Sequence, residues 1–384
     1  MTNPERYGPV ATLGAAFSGL QPDDERRAVK IELRPPAATL PATFIRPAGG
    51  PDREEMFEAF STMAPKIGSM GVYVLRDCEV RGLAFTFLDG KLVDSPDLIP
   101  GYVRHDVDRG QQPQLNELNA VVPIAGKALV FISNAYQIYG HWLLDILPRL
   151  WIAQHILNIK KDVRLVIPNG TPSFAIVIMR DFFDTSFDIV HDLDRENLHI
   201  ERALIPSLPH NDHFFHPIMN EFVGWLITHP LVVAASMIRR SFPEMIYISR
   251  RKFRDSSTSY VRSIFNETEV FSVVKELGFH IISPEELSWR DQISLFSRAR
   301  IVVGEDGSGL HNAIFSSSKT AVVCLNPANQ VQISIAALRG QSITVLCSPS
   351  IEGEGESRYA IDIQRFRLAV EAAMISVGIP IPVV

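Results

Sequence analysis

The sequence predicts an α/β protein: two doubly wound, Rossmann-like domains facing each other across a cleft, preceded by a small β-rich lead-in. Three observations predict it. From about residue 126, short apolar runs of strand length alternate with longer segments of helical period. After about residue 240 the alternation restarts in a second, clearer series. Within that series RIVVGEDGSGLHNAIF (300–315) runs from an apolar strand through a glycine turn into a helix, a layout that lets backbone amides approach a phosphate.

Residues 1–115 are read as the β-rich lead-in and loops. RPPAATLPATFIRPAGGP has the composition of a linker, strands are expected at Val72–Leu75 and Ala84–Leu88, and Asp89-Gly90 is a hairpin turn. Residues 116–239 form the first α/β domain. ALVFIS (128–133), VRLVIP (163–168) and DIVHD are its strands; HWLLDILPRLWIAQHIL, SFAIVIMRDFF and HPIMNEFVGWLITHP are its helices. Residues 240–350 form the second α/β domain, with strands MIYIS (245–249), HIIS (280–283), IVVG (301–304), TAVVCL (320–325) and SITVLC (342–347). Residues 351–384 close the chain as a loop and helix. Asn266 to Leu277 is a helix, and Asn266-Glu-Thr-Glu269, Ser283-Pro-Glu-Glu286 and Ser288-Trp-Arg-Asp291 resemble capped helix starts. Helical crossovers force parallel strands, so the polar residues just past each strand gather along one edge, where a ligand is expected.

Composition narrows the function. Hydrophobic residues at 46% and charged residues at 21% of 384 describe an ordinary folded chain, and a net charge of −6 gives no general reason to expect nucleic acid as a partner. Cys78, Cys324 and Cys347 show no zinc-site spacing and an odd count, which suits a reducing cytosol. The N-terminus has no basic segment followed by an apolar run, and no stretch approaches the ~20 apolar residues of a membrane helix. A cytoplasmic protein is expected, and peripheral attachment at the inner face of a membrane is compatible with this.

Several stretches carry candidate chemistry. ISRRKFR (248–254) places Arg250, Arg251, Lys252 and Arg254 at a strand end, as a diphosphate clamp or as a solvated basic loop. Arg250 is the residue expected to aim inward. GHWLLDILPRL (140–150) puts His141 and Asp145 at i and i+4 on one helix face. That is the pairing a general base needs, and equally that of a buried, satisfied histidine beside a kink at Pro148. The loose group His210, His213 and His216 reads as loop or surface. Asn266 and Glu267 open a helix and Glu286 completes a capping box with Ser283; a carboxylate at a strand end also suits ribose hydroxyls. Glu305 and Asp306 are unexpected in the mouth of an anion-binding loop.

GHWLLDILPRL, ISRR, RSIFNETEV and GFHIISPEELSWRDQISLFSRARIVVGEDGSGLHNAIF together, in that order, resemble glycosyltransferase family 61, the group described in bacteria as capsular polysaccharide biosynthesis proteins. The resemblance covers roughly residues 120–330. It implies an inverting GT-B glycosyltransferase whose C-terminal half holds a nucleotide sugar, UDP-linked, and whose N-terminal half presents a glycan or glycolipid acceptor. The family's His-Trp pair falls on His141 and Trp142, its Pro-Arg-Leu on Pro148–Leu150, its Asn-Glu pair on Asn266 and Glu267, and its glycine loop on Gly304–Asn312, which brings Gly307, Ser308, Gly309, Leu310 and Asn312 into the donor site. The family's histidine before the Gly-Ala/Ser-Gly is here Asp306. This chain's acid would then bind sugar hydroxyls or cap the helix Leu310–Phe315.

The expectation is metal-independent sugar transfer with no cofactor beyond the donor: His141, supported by Asp145, deprotonates the acceptor while cations and amides stabilise the leaving diphosphate. No DxD-type acidic pair stands out at a strand end. A catalytically inactive nucleotide-sugar or glycan-binding relative is the alternative, favoured by Asp306. A dinucleotide enzyme fits less well, because the glycine loop follows the third strand of its domain and lacks the GxGxxG form.

Overall fold

The computed structural model describes residues 6–7, 12–13, 28–47, 54–82, 85–93, 95, 97–100, 120–132, 135–157, 163–183, 189–191, 196–211, 214–238, 242–256, 263–327, 329–348, 350–351 and 358–382. The chain forms two compact units, one of residues 1–38 and 66–219, the other of residues 39–65 and 220–384. This division differs from the boundaries expected at 116 and 240. Residues 220–239 belong to the second unit, and the strands of the lead-in are part of the first unit's own sheet.

The first unit is built on a ten-stranded mixed sheet. Its parallel part runs Glu196–Pro206, Ala120–Val130, Val163–Pro168 and Ile189–His191. Met70–Arg81 adds antiparallel to Glu196–Pro206 and continues the sheet to Ala28–Arg34 and Phe85–Leu88. The lead-in is therefore not separate: Leu75, Cys78 and Val80 share one core with Val130, Val166, Leu198 and Ile200. Asp89 and Gly90, both at positive φ (50° and 74°), turn the chain between Phe85–Leu88 and Lys91–Val93, as their residue types require. Asp188, Asp192, Ser133 and Ala84 of the expected strands lie outside the described residues.

The chain leaves Ala120–Val130 through a helix to Val163–Pro168 on one side, while Glu196–Pro206 lies on the other. The carboxyl ends of Ala120–Val130 and Glu196–Pro206 therefore flank a topological switch point, where open α/β sheets place their ligands. The intervening helix is irregular. An α-turn, Tyr139–His141, is followed by a π-turn, Trp142–Ile146, then α-helix Leu147–Trp151 and a second π-turn, Ile152–Ile156. Pro148 has no N–H for the carbonyl four residues back, and the π-turn directly before it absorbs that break in the ladder.

The second unit carries a six-stranded sheet in the order His280–Ile282, Met245–Ile248, Ile301–Glu305, Ala321–Leu325, Ser342–Leu346, Thr43–Phe44, parallel throughout. By chain order the first five strands run 2-1-3-4-5, a doubly wound arrangement with its switch point between Met245–Ile248 and Ile301–Glu305. All five expected strands are present, shifted by a residue or two at their ends. The edge strand Thr43–Phe44 comes from the proline-rich stretch read as linker. An edge position tolerates the flanking prolines, and Ile45 donates its N–H to the Ile343 carbonyl at 2.7 Å while entering the core.

Alternation along the strands sends Ile301, Val303, Ala321, Val323 and Leu325 toward Glu267–Glu276 and the C-terminal helix Ile363–Ser376. That last helix starts on Asp362, whose side chain accepts from the N–H groups of Gln364 and Arg365, and buries Phe366, Val370 and Met374 completely. At about 1.5–3 kcal/mol for each such side chain, it is a structural member of this unit. Among the described residues no single helix is long and apolar enough to cross a membrane.

Candidate active site

At the switch point of the first unit, three side chains meet. His141 donates from Nδ1 to Asp145 Oδ2 at 2.6 Å, and His210 donates from Nε2 to Asp145 Oδ1 at 2.8 Å. An ionised carboxylate only accepts, so both ring nitrogens facing it carry hydrogen. Asp145 is buried, and burial works to raise its pKa; the two imidazoles, His210 first, outweigh burial and hold it well below the usual carboxylate range. For His141 burial lowers the pKa, but the hydrogen bond and charge of Asp145 prevail and raise it above the usual imidazole value. With Nδ1 on the carboxylate, Nε2 is the nitrogen that gains and loses a proton. The His141 side chain retains 29% of its exposure while Asp145 keeps 5%, so the acid is sequestered and the imidazole is accessible.

The neighbouring motif residues explain how the helix is held. Trp142 is fully buried, and its indole N–H donates to the Tyr136 carbonyl in the preceding loop. Arg149, also buried, donates from Nε to the Pro206 carbonyl at 2.8 Å and from Nη1 to those of Phe131 and Ile132 at 3.0 and 3.3 Å. One guanidinium thus ties the helix that carries His141 and Asp145 to the carboxyl ends of both flanking strands.

His210, expected at a loop or surface, is a correction. It is 6% exposed, sits in the short hairpin His210–Asn211 with Phe214–Phe215, and packs edge-to-face on Phe215. It arrives there because Glu196–Pro206 pairs beside Ala120–Val130, a neighbour relation that sequence order does not reveal. Its position just past a strand end was the available signal. His216 is buried too, with Nε2 against the Pro35 carbonyl at 3.0 Å; His213 lies outside the described residues.

The second unit assembles most of the expected donor residues at its own switch point. Arg250 follows Met245–Ile248, and its Nη1 donates to the Asp306 carbonyl at 3.4 Å and lies 4.0 Å from Glu305 Oε1. Gly307, at φ +143°, presents its bare Cα to this guanidinium: a Cβ there would sit 3.4 Å from Arg250 Nη1 in a backbone conformation only glycine adopts readily. Glu305 is buried and accepts from the Tyr359 hydroxyl. The acid at the loop mouth therefore serves as a counter-charge beside Arg250. Asp306 is buried, and the N-cap position of the 3₁₀ turn Leu310–Phe315 falls on Gly309, which has no side chain to cap with.

Glu267 is buried beside this loop, accepting from Ser249 Oγ at 3.1 Å and from Arg254 Nη2 at 3.2 Å, with Arg251 at 4.0 Å. Burial first, and then the charges of Glu267 and Glu305, push the Tyr247 hydroxyl well above its usual pKa. The Asn266 side chain caps no helix. It pairs with the backbone of Ile361, accepting from the N–H and donating to the carbonyl, both at 2.9 Å. Asn312 is fully buried and donates to Gln292 Oε1 at 2.9 Å, Leu310 is equally buried, and Ser308 and Gly309 stay partly exposed. Glu286 makes no capping box; it forms an exposed pair with Lys252 at 2.6 Å, and among the three expected caps only Ser288 receives its N–H, from Asp291. Among the described residues, no group of three or more His, Cys, Asp or Glu side chains is arranged to hold a metal ion.

The first unit thus holds an accessible imidazole backed by a buried carboxylate, and the second holds an arginine laid over a glycine loop. The class is that of the glycosyltransferases: residues 139–323 match the family model described as Glycosyltransferase 61. Over that stretch, which opens two residues before His141 and includes the whole glycine loop, the chain is similar to glycosyltransferase family 61, a family whose substrates are a sugar donor and an acceptor. No curated protein matches the chain.

Proposed function

We propose that this protein is an inverting glycosyltransferase of the GT-B type, moving a sugar from a UDP-linked nucleotide donor to a polysaccharide or glycolipid acceptor in surface polysaccharide biosynthesis, at the cytoplasmic face of the membrane. The observation that carries this reading is the 2.6 Å hydrogen bond that binds His141 Nδ1 to a buried Asp145. His141 Nε2 takes the proton of the acceptor hydroxyl as its oxygen attacks the anomeric carbon from the face opposite the nucleotide. The bond from that carbon to the diphosphate oxygen breaks, its electron pair leaves with the diphosphate, and configuration inverts. Asp145 stabilises the imidazolium without taking the proton, as befits its depressed pKa. Arg250 and the amides of Gly307, Ser308 and Gly309 are assigned the charge that builds on the diphosphate, with Arg251, Arg254, Glu267 and Glu286 around them and Asp306 on donor hydroxyls. This needs no metal, so turnover should survive exhaustive chelation.

A panel of UDP-sugars tests the reading. A true donor raises the melting temperature by mass action, and is then assayed for UDP release. His141→Ala should leave UDP affinity within about twofold and reduce turnover by ~10²-fold or more; wild-type turnover in that variant would return His141 to a structural role. Asp306 in place of the family's histidine favours a second reading, a non-catalytic nucleotide-sugar or glycan-binding relative, which predicts donor binding with no turnover.

A further inference from the structure

His210 is a buried imidazole that the mechanism above does not use. It lies 65 positions from Asp145 in sequence yet bonds it at 2.8 Å, nearly as closely as His141 does from one helical turn away. Its other nitrogen, Nδ1, is buried with no hydrogen-bond partner among the described residues. A buried lone pair without a donor is tolerated, whereas a buried N–H without an acceptor is rare and costly. Hydrogen on Nε2 and a bare lone pair on Nδ1 is therefore the arrangement this environment accepts, and it makes His210 a fixed, single-purpose donor to Asp145.

The effect on Asp145 is geometric. A carboxylate on a helix has a terminal torsion that is broad and roughly two-fold. One bond to His141 leaves the second oxygen to set that torsion, and here Oδ1 is pinned by a side chain reached from the neighbouring strand Glu196–Pro206. The anchor is firm. Ser207 donates its N–H to the Gly71 carbonyl at 2.9 Å, Leu208 donates to the Asp97 carbonyl at 2.7 Å, and Pro209 accepts from the N–H of His216 at 2.8 Å, so each residue leading to His210 is tied down. Arg149 holds the strand end itself through Pro206.

We propose that His210 is the positioning residue of this site: by fixing the second oxygen of Asp145 through Nε2–H, it turns the first toward His141 and locks His141 in the Nδ1–H tautomer, with Nε2 as the basic nitrogen. This rests on His141 being the base, and it adds a requirement of its own. An unconstrained histidine prefers the opposite tautomer, with hydrogen on Nε2, which cannot accept a proton there. His210 removes that unproductive form. The titratable groups bonded to Asp145 in this arrangement are the two imidazoles.

The test does not need a known donor. Long-range proton–nitrogen NMR spectra of the full chain with ¹⁵N-labelled histidine report which nitrogen of each ring carries hydrogen. Above the titration of His141, the wild type should show His141 as Nδ1–H and His210 as Nε2–H. His210→Ala should move His141 to a mixture dominated by Nε2–H, and His210→Gln, which retains an N–H donor of similar reach, should restore the Nδ1–H form. A His141 signal unchanged in His210→Ala, or a His210 ring carrying its hydrogen on Nδ1, overturns the proposal. If His210→Ala does not fold, His210→Gln and the wild-type tautomers still decide it. UDP release from a donor found in the panel supplies the second readout: at least a tenfold loss of turnover in His210→Ala with unchanged donor KM, recovered in His210→Gln. A loss expressed wholly in KM also overturns the proposal. A wild type that turns over no sugar would sink the glycosyltransferase reading and leave the tautomer result standing.

Discussion

Replacing Asp145 with asparagine keeps the shape of the side chain and removes its charge. The carboxylate accepts one N–H on each oxygen, at 2.6 and 2.8 Å. Asparagine offers one acceptor oxygen and an NH₂ group, so one of the two imidazoles must lose its bond or change tautomer. A hydrogen bond to a charged group is worth about 1.5–3 kcal/mol, which sets the expected loss of stability near neutral pH. The kinetic loss is larger. A positioned base contributes ~10²–10⁴ in rate, or roughly 3–5 kcal/mol at 1.36 kcal/mol per tenfold. The pH dependence gives the sharper signature. Asp145 raises the pKa of His141 against the pull of burial, so the acid limb of turnover against pH should move to lower pH in Asp145→Asn. Stability follows by linkage. The depressed pKa of Asp145 contributes stability present above the ordinary 3.8 and lost as pH falls through its folded value; the raised pKa of His141 contributes stability present below the ordinary 6.5 and lost as pH rises through its folded value. The gap in unfolding free energy between wild type and Asp145→Asn should therefore be widest between those two values and narrow on either side. Chemical denaturation across pH measures it, alongside UDP release. A gap independent of pH, with turnover within threefold of wild type, would refute this account of the pair.

Three further substitutions probe other parts of the account. Arg250→Ala should weaken binding of UDP, measured calorimetrically, by more than it weakens uridine, and equal losses would remove Arg250 from the diphosphate. Asp306→Asn should reduce donor affinity or turnover more than tenfold, as loss of charge-assisted bonds of about 1.5–3 kcal/mol requires; a variant silent in both assays would end its role toward donor hydroxyls. Arg149→Met leaves the carbonyls of Phe131, Ile132 and Pro206 without their buried cation and should cost about 3–5 kcal/mol in urea denaturation, whereas a loss under ~1 kcal/mol would mean the clamp matters little.

What the sequence disclosed was local. The apolar runs of the second unit are buried on both faces of a parallel sheet, so their strands stand out from periodicity alone. His141 and Asp145 were readable because four residues along a helix bring side chains together whatever the tertiary fold. The π-turn follows in the same way from Pro148. His210 was not readable, because its partnership depends on Glu196–Pro206 returning to the side of Ala120–Val130 opposite Val163–Pro168, a choice that no local pattern encodes. For the same reason Thr43–Phe44 looked like linker, since a two-residue edge strand has no period of its own. The acids of the glycine loop misled by type. Glu305 is an ordinary counter-charge once Arg250 and Tyr359 are placed around it, but Tyr359 lies 54 residues away. Asn266 and Ser283 looked like caps because capping residues are recognised by identity, and their neighbours in space decide how they are used.

The central claim is that His141 activates an acceptor hydroxyl for a single direct displacement at the anomeric carbon. Proton NMR of the first product, recorded during turnover of a UDP-sugar from the panel and before any mutarotation, reads that displacement directly. The anomeric coupling constant should show the configuration opposite to the donor's, with the signal absent when His141→Ala replaces the wild type. A product that retains the donor's configuration, or that forms at the wild-type rate without His141, would contradict the account.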